Sequence, residues 1–335
     1  MKRWSHHWAL VIMVSLAGSA ACKGTDAPAP QPSVPTPTNP PTITPGSAGS
    51  GSAGSGSAAA DPWTQQQAPT PKDPLKKPFF WSAEKDGKTT YLLGTMHMGV
   101  DAEVRLPKLV WDKLDAAPTF AMESDLSDPG LVKLMKLQSG TIEEQLGPAY
   151  WKKLEDAIGP EQAKVMNGMK PMGAATLLAL KNLPSTPPMD GVLLGRAMNQ
   201  KKQIVYLEKA ALAAAVLERH MNLKMLKMML DTVEKSAAQT KQMLEVYLAG
   251  DADAILATTD EQRKDALAHG FTAAEYEEQM EDILYRRNAA WIEPIEKLHA
   301  AGGGFVAVGA MHLVGKRSVN EMLEKRGFKL TRIAP

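Results

Sequence analysis

Short apolar runs separated by turn residues predict the strands of this chain. The runs at 79–83 and 88–93 flank Asp86-Gly87, a dipeptide typical of a two-residue hairpin turn, so they predict an antiparallel pair. Four more short apolar runs, each bounded by polar or turn residues, predict strands at 119–123, 203–207, 305–308 and 328–333. The pattern therefore predicts six strands.

Between the strands, apolar positions recur at the three- and four-residue spacing of amphipathic helices. The helices predicted in this way lie at about 103–117, 128–139, 149–158, 171–182, 189–199, 209–249 with breaks, 272–302 and 316–326. Strands and helices in this order predict an α/β (α+β) fold with a large helical insertion between the first and last strands.

The first 21 residues predict a signal peptide, because Lys2 and Arg3 precede an apolar run at 8–21 that is too short to span a bilayer comfortably. Small residues then lead to Cys22, as in a lipobox. We therefore expect lipidation of Cys22 and export to the periplasm or the cell surface, anchored to a bacterial membrane. Ordinary cleavage after Ala21, which would leave Cys22 as a free thiol, is the alternative.

Residues 22–78 differ sharply in composition from the rest of the chain. Thirteen of the 24 prolines lie within residues 23–78, and residues 46–60 are an almost pure Gly/Ser/Ala repeat. Such segments bury too little apolar surface to offset the entropy of the chain. We expect a disordered tether that follows the lipidated cysteine and holds a single domain, residues 79–335, away from the membrane.

Charge and cysteine content narrow the class of protein. The chain has 38 Lys and Arg against 37 Asp and Glu. It therefore lacks the excess of basic residues that would indicate a nucleic-acid partner. Cys22 is the only cysteine, which excludes an intramolecular disulfide and leaves the core to hold the fold. We find no second hydrophobic stretch long enough to cross a membrane.

Two nearly identical segments carry the clearest candidate chemistry. GTMH at 94–97 and GAMH at 309–312 each follow an apolar, strand-like run. Glycine at a strand end permits a tight turn, and the next side chains then face the crevice in which α/β proteins bind ligands. Of the seven histidines, five lie beyond the signal peptide, and two of these five share this context. The repetition favours a paired functional role for His97 and His312 over two ordinary core histidines.

Glu123 ends another apolar run, which places a carboxylate at the same sheet edge if the strand is parallel to its neighbour. Two imidazoles and a carboxylate are a familiar ligand set for a divalent metal. The alternative is a helix-capping cluster, since Ser124 and Asp125 are good caps. Capping accounts for the serine and the aspartate but not for Glu123.

Several short motifs recur in a fixed order across the domain, and each one alone is weak. They are LLGTMH at 92–97, AME at 121–123, Asp190 with VL at 192–193, KQIVYLE at 202–208, RN at 287–288 and FVAVGAMHL at 305–313. The ordered set resembles the TraB/PrgY/GumN family, which is similar to the Tiki metalloproteases and more distantly to erythromycin-esterase-like proteins. The likeness covers nearly all of residues 79–335.

The resemblance implies an erythromycin-esterase/Tiki-like fold, in which two related sheet-and-helix halves form one domain and each contributes one G-x-x-H segment. It also implies that His97, Glu123, Arg287, Asn288 and His312 gather in one cleft. For the Tiki branch it implies a Mn²⁺- or Co²⁺-type metal and peptide hydrolysis.

We assign roles to these residues from their chemistry. His97, His312 and Glu123 are the expected ligands of a divalent metal of Mn, Co or Zn type. As catalytic groups, Glu123 would ligate or accept a proton, Arg287 would pair with it or stabilise an oxyanion, and Asn288 would orient water or substrate.

Asp190 and Glu208 are expected to brace the cleft through hydrogen bonds. The leading functional hypothesis is an exported metal-dependent hydrolase that acts as a peptidase on a peptide or protein substrate. The alternatives are a non-catalytic regulator that sequesters a peptide and a haem-binding lipoprotein.

Overall fold

A computed structural model describes residues 73–125, 128 and 130–335. The predicted signal peptide, Cys22 and most of the predicted tether lie outside the described residues. Near the start of the described chain, the side chain of Leu75 is buried in the domain. Its backbone N–H donates a hydrogen bond to the carbonyl of Arg105 at 2.8 Å. None of the helices in the described part is long and apolar enough to cross a membrane.

Six strands form one mixed sheet, and all six coincide with runs predicted from the sequence. In chain order they are β1 (Phe80–Lys85), β2 (Lys88–Thr95), β3 (Thr119–Met122), β4 (Gln203–Tyr206), β5 (Gly304–Gly309) and β6 (Lys329–Arg332). Asp86 and Gly87 join β1 to β2 with φ of 49° and 71°, as a type I′ turn requires. The mixed α/β class predicted from the sequence is confirmed.

The order of strands across the sheet is β4-β3-β5-β2-β1-β6. The strand β5 lies parallel to β2 on one side, with Thr95 opposite Gly309, and parallel to β3 on the other, with Phe120 opposite Phe305. The carboxyl ends of β2, β3 and β5 therefore meet at one edge. This edge receives both G-x-M-H segments and Glu123.

Helices fill the remainder of the described chain. They are α1 (Ala102–Arg105), α2 (Lys108–Ala116), α3 (Gly130–Leu134), α4 (Ile142–Leu146), α5 (Pro148–Ile158), α6 (Pro160–Met166), α7 (Pro171–Leu180), α8 (Met189–Asn199), α9 (Ala210–His220), α10 (Leu223–Asp231), α11 (Val233–Ala249), α12 (Ala252–Ala268), α13 (Ala273–Met280), α14 (Arg286–Ala300) and α15 (Val319–Lys325). The helix predicted at 103–117 is divided at Pro107, which lacks the N–H of a helix interior. The sequence pattern did not predict α4, α6 or α12.

Apolar side chains cover both faces of the sheet. Phe80 and Phe120 pack on one face, whereas Leu92, Ala121 and Val306 pack on the other. Strands buried on both faces read as continuous apolar runs rather than as alternating ones, which is the pattern found in β3 and β5. The sheet is therefore a rigid support for the side chains at its edge.

An ion pair ties the end of α2 to α8. Arg196 donates to both oxygens of Asp115, at 2.7 and 2.6 Å, and these hydrogen bonds lower the pKa of Asp115 to about 2. A carboxyl group with a depressed pKa stabilises the fold above its ordinary pKa of 3.8, and this contribution is lost as the pH falls toward 2.

We expect Asp115→Asn to lower the free energy of unfolding at pH 7 by no more than about 1 kcal/mol, since solvent screens this partly exposed pair. Urea unfolding at pH 7 and pH 2.5 should show a smaller loss at the lower pH. Asp112→Asn, which removes the exposed partner of Lys108 on the same helix, should change neither value. An equal loss for Asp115→Asn at both pH values would contradict the prediction.

Candidate functional site

The two G-x-M-H segments lie side by side because β2 and β5 are adjacent parallel strands. Their glycines permit contacts that no side chain would allow. A Cβ on Gly94 would lie 2.8 Å from Phe79 Cβ and 2.9 Å from Ala310 Cα. A Cβ on Gly309 would lie 3.0 Å from His97 Nε2. The glycines therefore bring backbone and imidazole together at the sheet edge.

A buried side-chain oxygen holds each of the two imidazole rings through its Nδ1 atom. His97 Nδ1 lies 2.5 Å from Asp190 Oδ2, and His312 Nδ1 lies 2.6 Å from Asn288 Oδ1. When Nδ1 donates to these oxygens, Nε2 is the nitrogen that each ring presents to a ligand. The two Nε2 atoms face the same oxygen of Glu123, Oε1, at 3.9 and 3.8 Å. The two segments thus form a single site.

A buried arginine links two carboxylates in this site. Glu123 Oε1 accepts the N–H of Gly309 at 2.7 Å, and Glu123 Oε2 accepts from Arg287 Nη2 at 2.6 Å. The same Nη2 donates to Glu208 Oε1 at 2.5 Å, while Nη1 lies 3.4 Å from His312 Nε2. Both oxygens of Glu123 are therefore engaged, and a positive charge borders the cleft.

A π-helical turn at Glu281–Tyr285 precedes Arg287 and joins α13 to α14. Such turns occur frequently at functional sites. Arg287 Nη1 donates to the carbonyl of Ile283 within this turn at 3.1 Å, and the guanidinium lies 4.8 Å from the ring centroid of Trp291. The ring of Trp291 is also 4.5 Å from that of His312. Trp291 was not predicted as a site residue, although its spacing of four from Arg287 on a helix is a signal for the contact.

The two histidines differ in protonation. Burial lowers the pKa of His97, but the charge and hydrogen bond of Asp190, together with the charge of Glu123, outweigh burial and raise the pKa to about 9. Burial lowers the pKa of His312 to about 3, and the opposing charge of Glu123 does not offset it. At neutral pH His97 is therefore a cation that would have to lose its proton to ligate a metal, whereas His312 is a neutral imidazole.

The pKa values of the two carboxylates beside Arg287, those of Glu123 and Glu208, are shifted in opposite directions. Burial raises the pKa of Glu123, but Arg287 and the two histidines outweigh it and hold the pKa below its usual range. Burial raises the pKa of Glu208 despite its hydrogen bonds from Arg287. Of the two carboxylates beside Arg287, Glu123 is therefore the one that these contacts favour in its ionised form.

The donor types of this site fit a divalent metal, since imidazole nitrogen and carboxylate oxygen are the usual ligands. The bonds from Nδ1 to Asp190 and Asn288 are also of the kind that orients histidine ligands. The donors are more widely spaced than in a closed site: in residues 73–125, 128 and 130–335, no three His, Cys, Asp or Glu side chains form a group that could hold a metal. His97 and His312 are the donors with a nitrogen directed into the cleft.

The structure places each predicted residue of the domain in or beside this site. Asp190 contacts His97 Nδ1, and Glu208 accepts a hydrogen bond from Arg287. Asn288 is 1% exposed and donates from Nδ2 to the carbonyl of Arg317 at 2.9 Å. In this arrangement Asn288 holds His312, whereas the sequence suggested that it orients water or substrate.

Gly309→Ala offers a test of the space between the histidines. The added Cβ would lie 3.0 Å from His97 Nε2 and 3.4 Å from Glu123 Oε1, so it would enter the ligand position. We expect at least about a tenfold loss of ligand affinity, because the imidazole must move from its place. Gly168→Ala is the control, since its Cβ would meet nothing within 4 Å. Unchanged affinity of Gly309→Ala in a metal titration would show that the ligand lies elsewhere.

The family of the chain follows from comparison with known proteins. A model of the TraB/PrgY/gumN family matches residues 79–332. The chain belongs to the TraB/PrgY/gumN family. The matched range of this family member runs from β1 to β6 and includes the whole site described above. The resemblance inferred from the ordered motifs is confirmed.

One curated relative within the same family shows how far the sequence has diverged. The chain is 26% identical over 245 residues to "Uncharacterized protein YbaP" of Shigella flexneri, an alignment that covers 70% of this chain and 87% of that protein. No solved structure matches the chain significantly.

Proposed function

We propose that this TraB/PrgY/gumN family member is an exported metal-dependent hydrolase that cleaves peptides. The observation that carries the proposal is the convergence of two imidazoles on one carboxylate oxygen. Their Nε2 atoms lie 3.9 and 3.8 Å from Glu123 Oε1, and buried acceptors hold both rings by Nδ1. Histidines fixed in this way are characteristic of metal sites.

His97, His312 and Glu123 would hold a divalent metal of Mn, Co or Zn type. Such a metal supplies Lewis acidity toward a carbonyl oxygen. Asp190 and Asn288 keep the two imidazoles in one orientation, so little ordering remains when a ligand binds. The two histidines that would hold the metal therefore need little rearrangement.

Arg287 contributes a fixed positive charge to the proposed chemistry. Its Nη2 contacts Glu123, and its Nη1 lies 3.4 Å from His312 Nε2, so the guanidinium borders the position between the imidazoles. A fixed charge at this position stabilises the negative oxygen that develops when a peptide carbonyl is attacked. The same contacts keep Glu123 ionised.

Export and anchoring are proposed from the sequence alone. The lysine and arginine at the start, the short apolar run and Cys22 support a lipid-anchored protein whose tether reaches from a bacterial membrane. Labelling of cells with a radioactive fatty acid tests this. The protein should acquire label, and Cys22→Ser should remove it, whereas an unlabelled wild type would refute lipidation.

The experiment that tests the reaction has two measurements. The metal-stripped, full-length protein is titrated with Mn²⁺, Co²⁺ and Zn²⁺ by calorimetry, and the loaded protein is incubated with a mixture of unstructured peptides. Saturable binding of at least one metal and new peptide termini in the mass spectrum support the proposal. Absence of metal binding would refute the metal-dependent mechanism.

A non-catalytic, peptide-sequestering regulator is the second candidate. It is favoured by the engagement of both Glu123 oxygens by Gly309 and Arg287, which leaves the carboxylate less available to a metal. Peptide binding without cleavage would favour this candidate. The haem-binding alternative gains no support, because the cavity beside the histidines measures about 80 Å³, far below the size of ordinary cofactor pockets of about 300–1,000 Å³.

A further inference from the structure

A small pocket opens beside the two histidines, and α11 and α12 contribute much of its lining. His97 and His312 line it together with Met243, Val246 and Ile255, and its volume is about 80 Å³. A water-sized group occupies about 30 Å³ of liquid volume, so the pocket accommodates about three groups of that size. This is the size of a valine or leucine side chain.

The lining of the pocket includes a buried amide side chain for which the described residues provide no hydrogen-bond partner. Gln262 on α12 is 3% exposed and lines the pocket, and its amide makes no hydrogen bond to any other residue in the described part of the chain. A buried amide without a partner destabilises a fold, so such groups are normally satisfied by water or by a ligand. A ligand in the pocket that carries hydrogen-bonding groups of its own would therefore satisfy the Gln262 amide.

The rest of the lining restricts the chemistry of that ligand. Among the described residues that line the pocket, none is Asp, Glu, Lys or Arg. A positively charged substrate side chain would be buried here beside the cationic His97 and without a carboxylate partner, which is strongly unfavourable. Met96, Met243 and Met311 instead offer flexible, apolar surfaces that adapt to the shape of an aliphatic group.

We propose that this pocket binds a valine- or leucine-sized side chain of a peptide, and that Gln262 hydrogen-bonds to the adjoining peptide group. An amide side chain provides one acceptor oxygen and two N–H donors, which match the N–H and C=O of a peptide bond. The identity of the ligand as a peptide rests on the proposed function. Because both histidines line the same pocket, a side chain bound there places its own peptide group beside His97 and His312.

The pocket can be tested by binding, without any assay of catalysis. The full-length protein is labelled with ¹³C at the methionine methyl groups and titrated with N-acetyl-L-leucinamide, with N-acetylglycinamide as the matched control. The methyl resonances of Met243 and Met311 should shift saturably with leucinamide only. The resonance of Met198, which is 59% exposed and distant in sequence from the pocket helices, should not shift.

Gln262→Leu tests the polar contact. It should weaken leucinamide binding about tenfold, the effect of one lost hydrogen bond, and should remain folded because it removes a buried polar group. Gln279→Leu is the matched control, since Gln279 is also buried but does not line the pocket. It should bind leucinamide as the wild type does.

Each outcome has one meaning. Equal shifts with glycinamide, or no saturable shift at Met243 and Met311, would overturn the side-chain pocket. Wild-type affinity in Gln262→Leu would overturn the role of that amide. Leucinamide binding by a protein that binds no metal and cleaves no peptide would refute the proposed hydrolase alone, whereas peptide cleavage without leucinamide binding would refute the pocket alone.

Discussion

The double variant His97→Ala/His312→Ala is expected to bind no divalent metal and to cleave peptides at least about a thousandfold more slowly than the wild type. Both imidazoles that face Glu123 Oε1 are absent from it, so neither nitrogen donor remains. Metal-ion catalysis supplies several kcal/mol of transition-state stabilisation, and each 1.4 kcal/mol is a factor of ten in rate. Metal analysis of the purified protein and a peptide-cleavage assay are the two measurements.

His269→Ala is the control for this double variant. His269 lies at the end of α12, where its Nδ1 is 2.8 Å from the carbonyl of Asp265, and it is not part of the site. Its variant should retain metal and activity. Full metal content in the double variant would place the metal outside the cleft, and full activity would exclude the two histidines from the reaction.

The variant Arg287→Met is expected to lower the free energy of unfolding by about 3–5 kcal/mol, the cost of removing one partner from a buried ion pair. Arg287 is largely buried and donates to both Glu123 and Glu208. Methionine fills similar space but carries no charge, so both carboxylates lose their cation. Urea unfolding at pH 7 measures the loss.

Two further variants separate charge from packing at Arg287. Adding Glu123→Gln to Arg287→Met should restore part of the stability, because it removes an uncompensated buried charge. Arg326→Met removes an arginine whose partner Glu296 lies at the surface, and should cost no more than about 1 kcal/mol. If Arg287→Met lowers the free energy of unfolding as little as Arg326→Met does, the charge of the Arg287 guanidinium does not stabilise the fold.

The sequence was sufficient to predict the six strands of the sheet and the side chains that meet at one of its edges. Each of the six strands is a short apolar run with clear boundaries, and Asp86-Gly87 defines the hairpin. The paired glycine and histidine segments predicted a common edge, since parallel strands end together. Glu123 follows from the same argument, because its strand is parallel to β5.

The functions of supporting residues could not be predicted in the same way, because they depend on tertiary contacts. Nothing in the sequence around Asn288 indicates that its amide oxygen faces His312 rather than the cleft. The apolar pattern does not predict α12, because the apolar residues of this helix are spread weakly around it, and so it gives no signal for Gln262. A lone glutamine gains meaning only when its neighbours in space are known.

The π-helical turn at Glu281–Tyr285 makes the chain unusually sensitive to the loss of a single codon at this point. A π turn accommodates about one residue more than an α turn, so deleting one residue would allow a continuous α-helix to form. The helix before the deletion would then rotate by about 100° relative to Arg287. Asp282, which pairs with His220 at 2.8 Å, could not keep that partner while Arg287 kept Glu123. The number of residues in this turn and the geometry of the candidate site are therefore linked through the pitch of one helix.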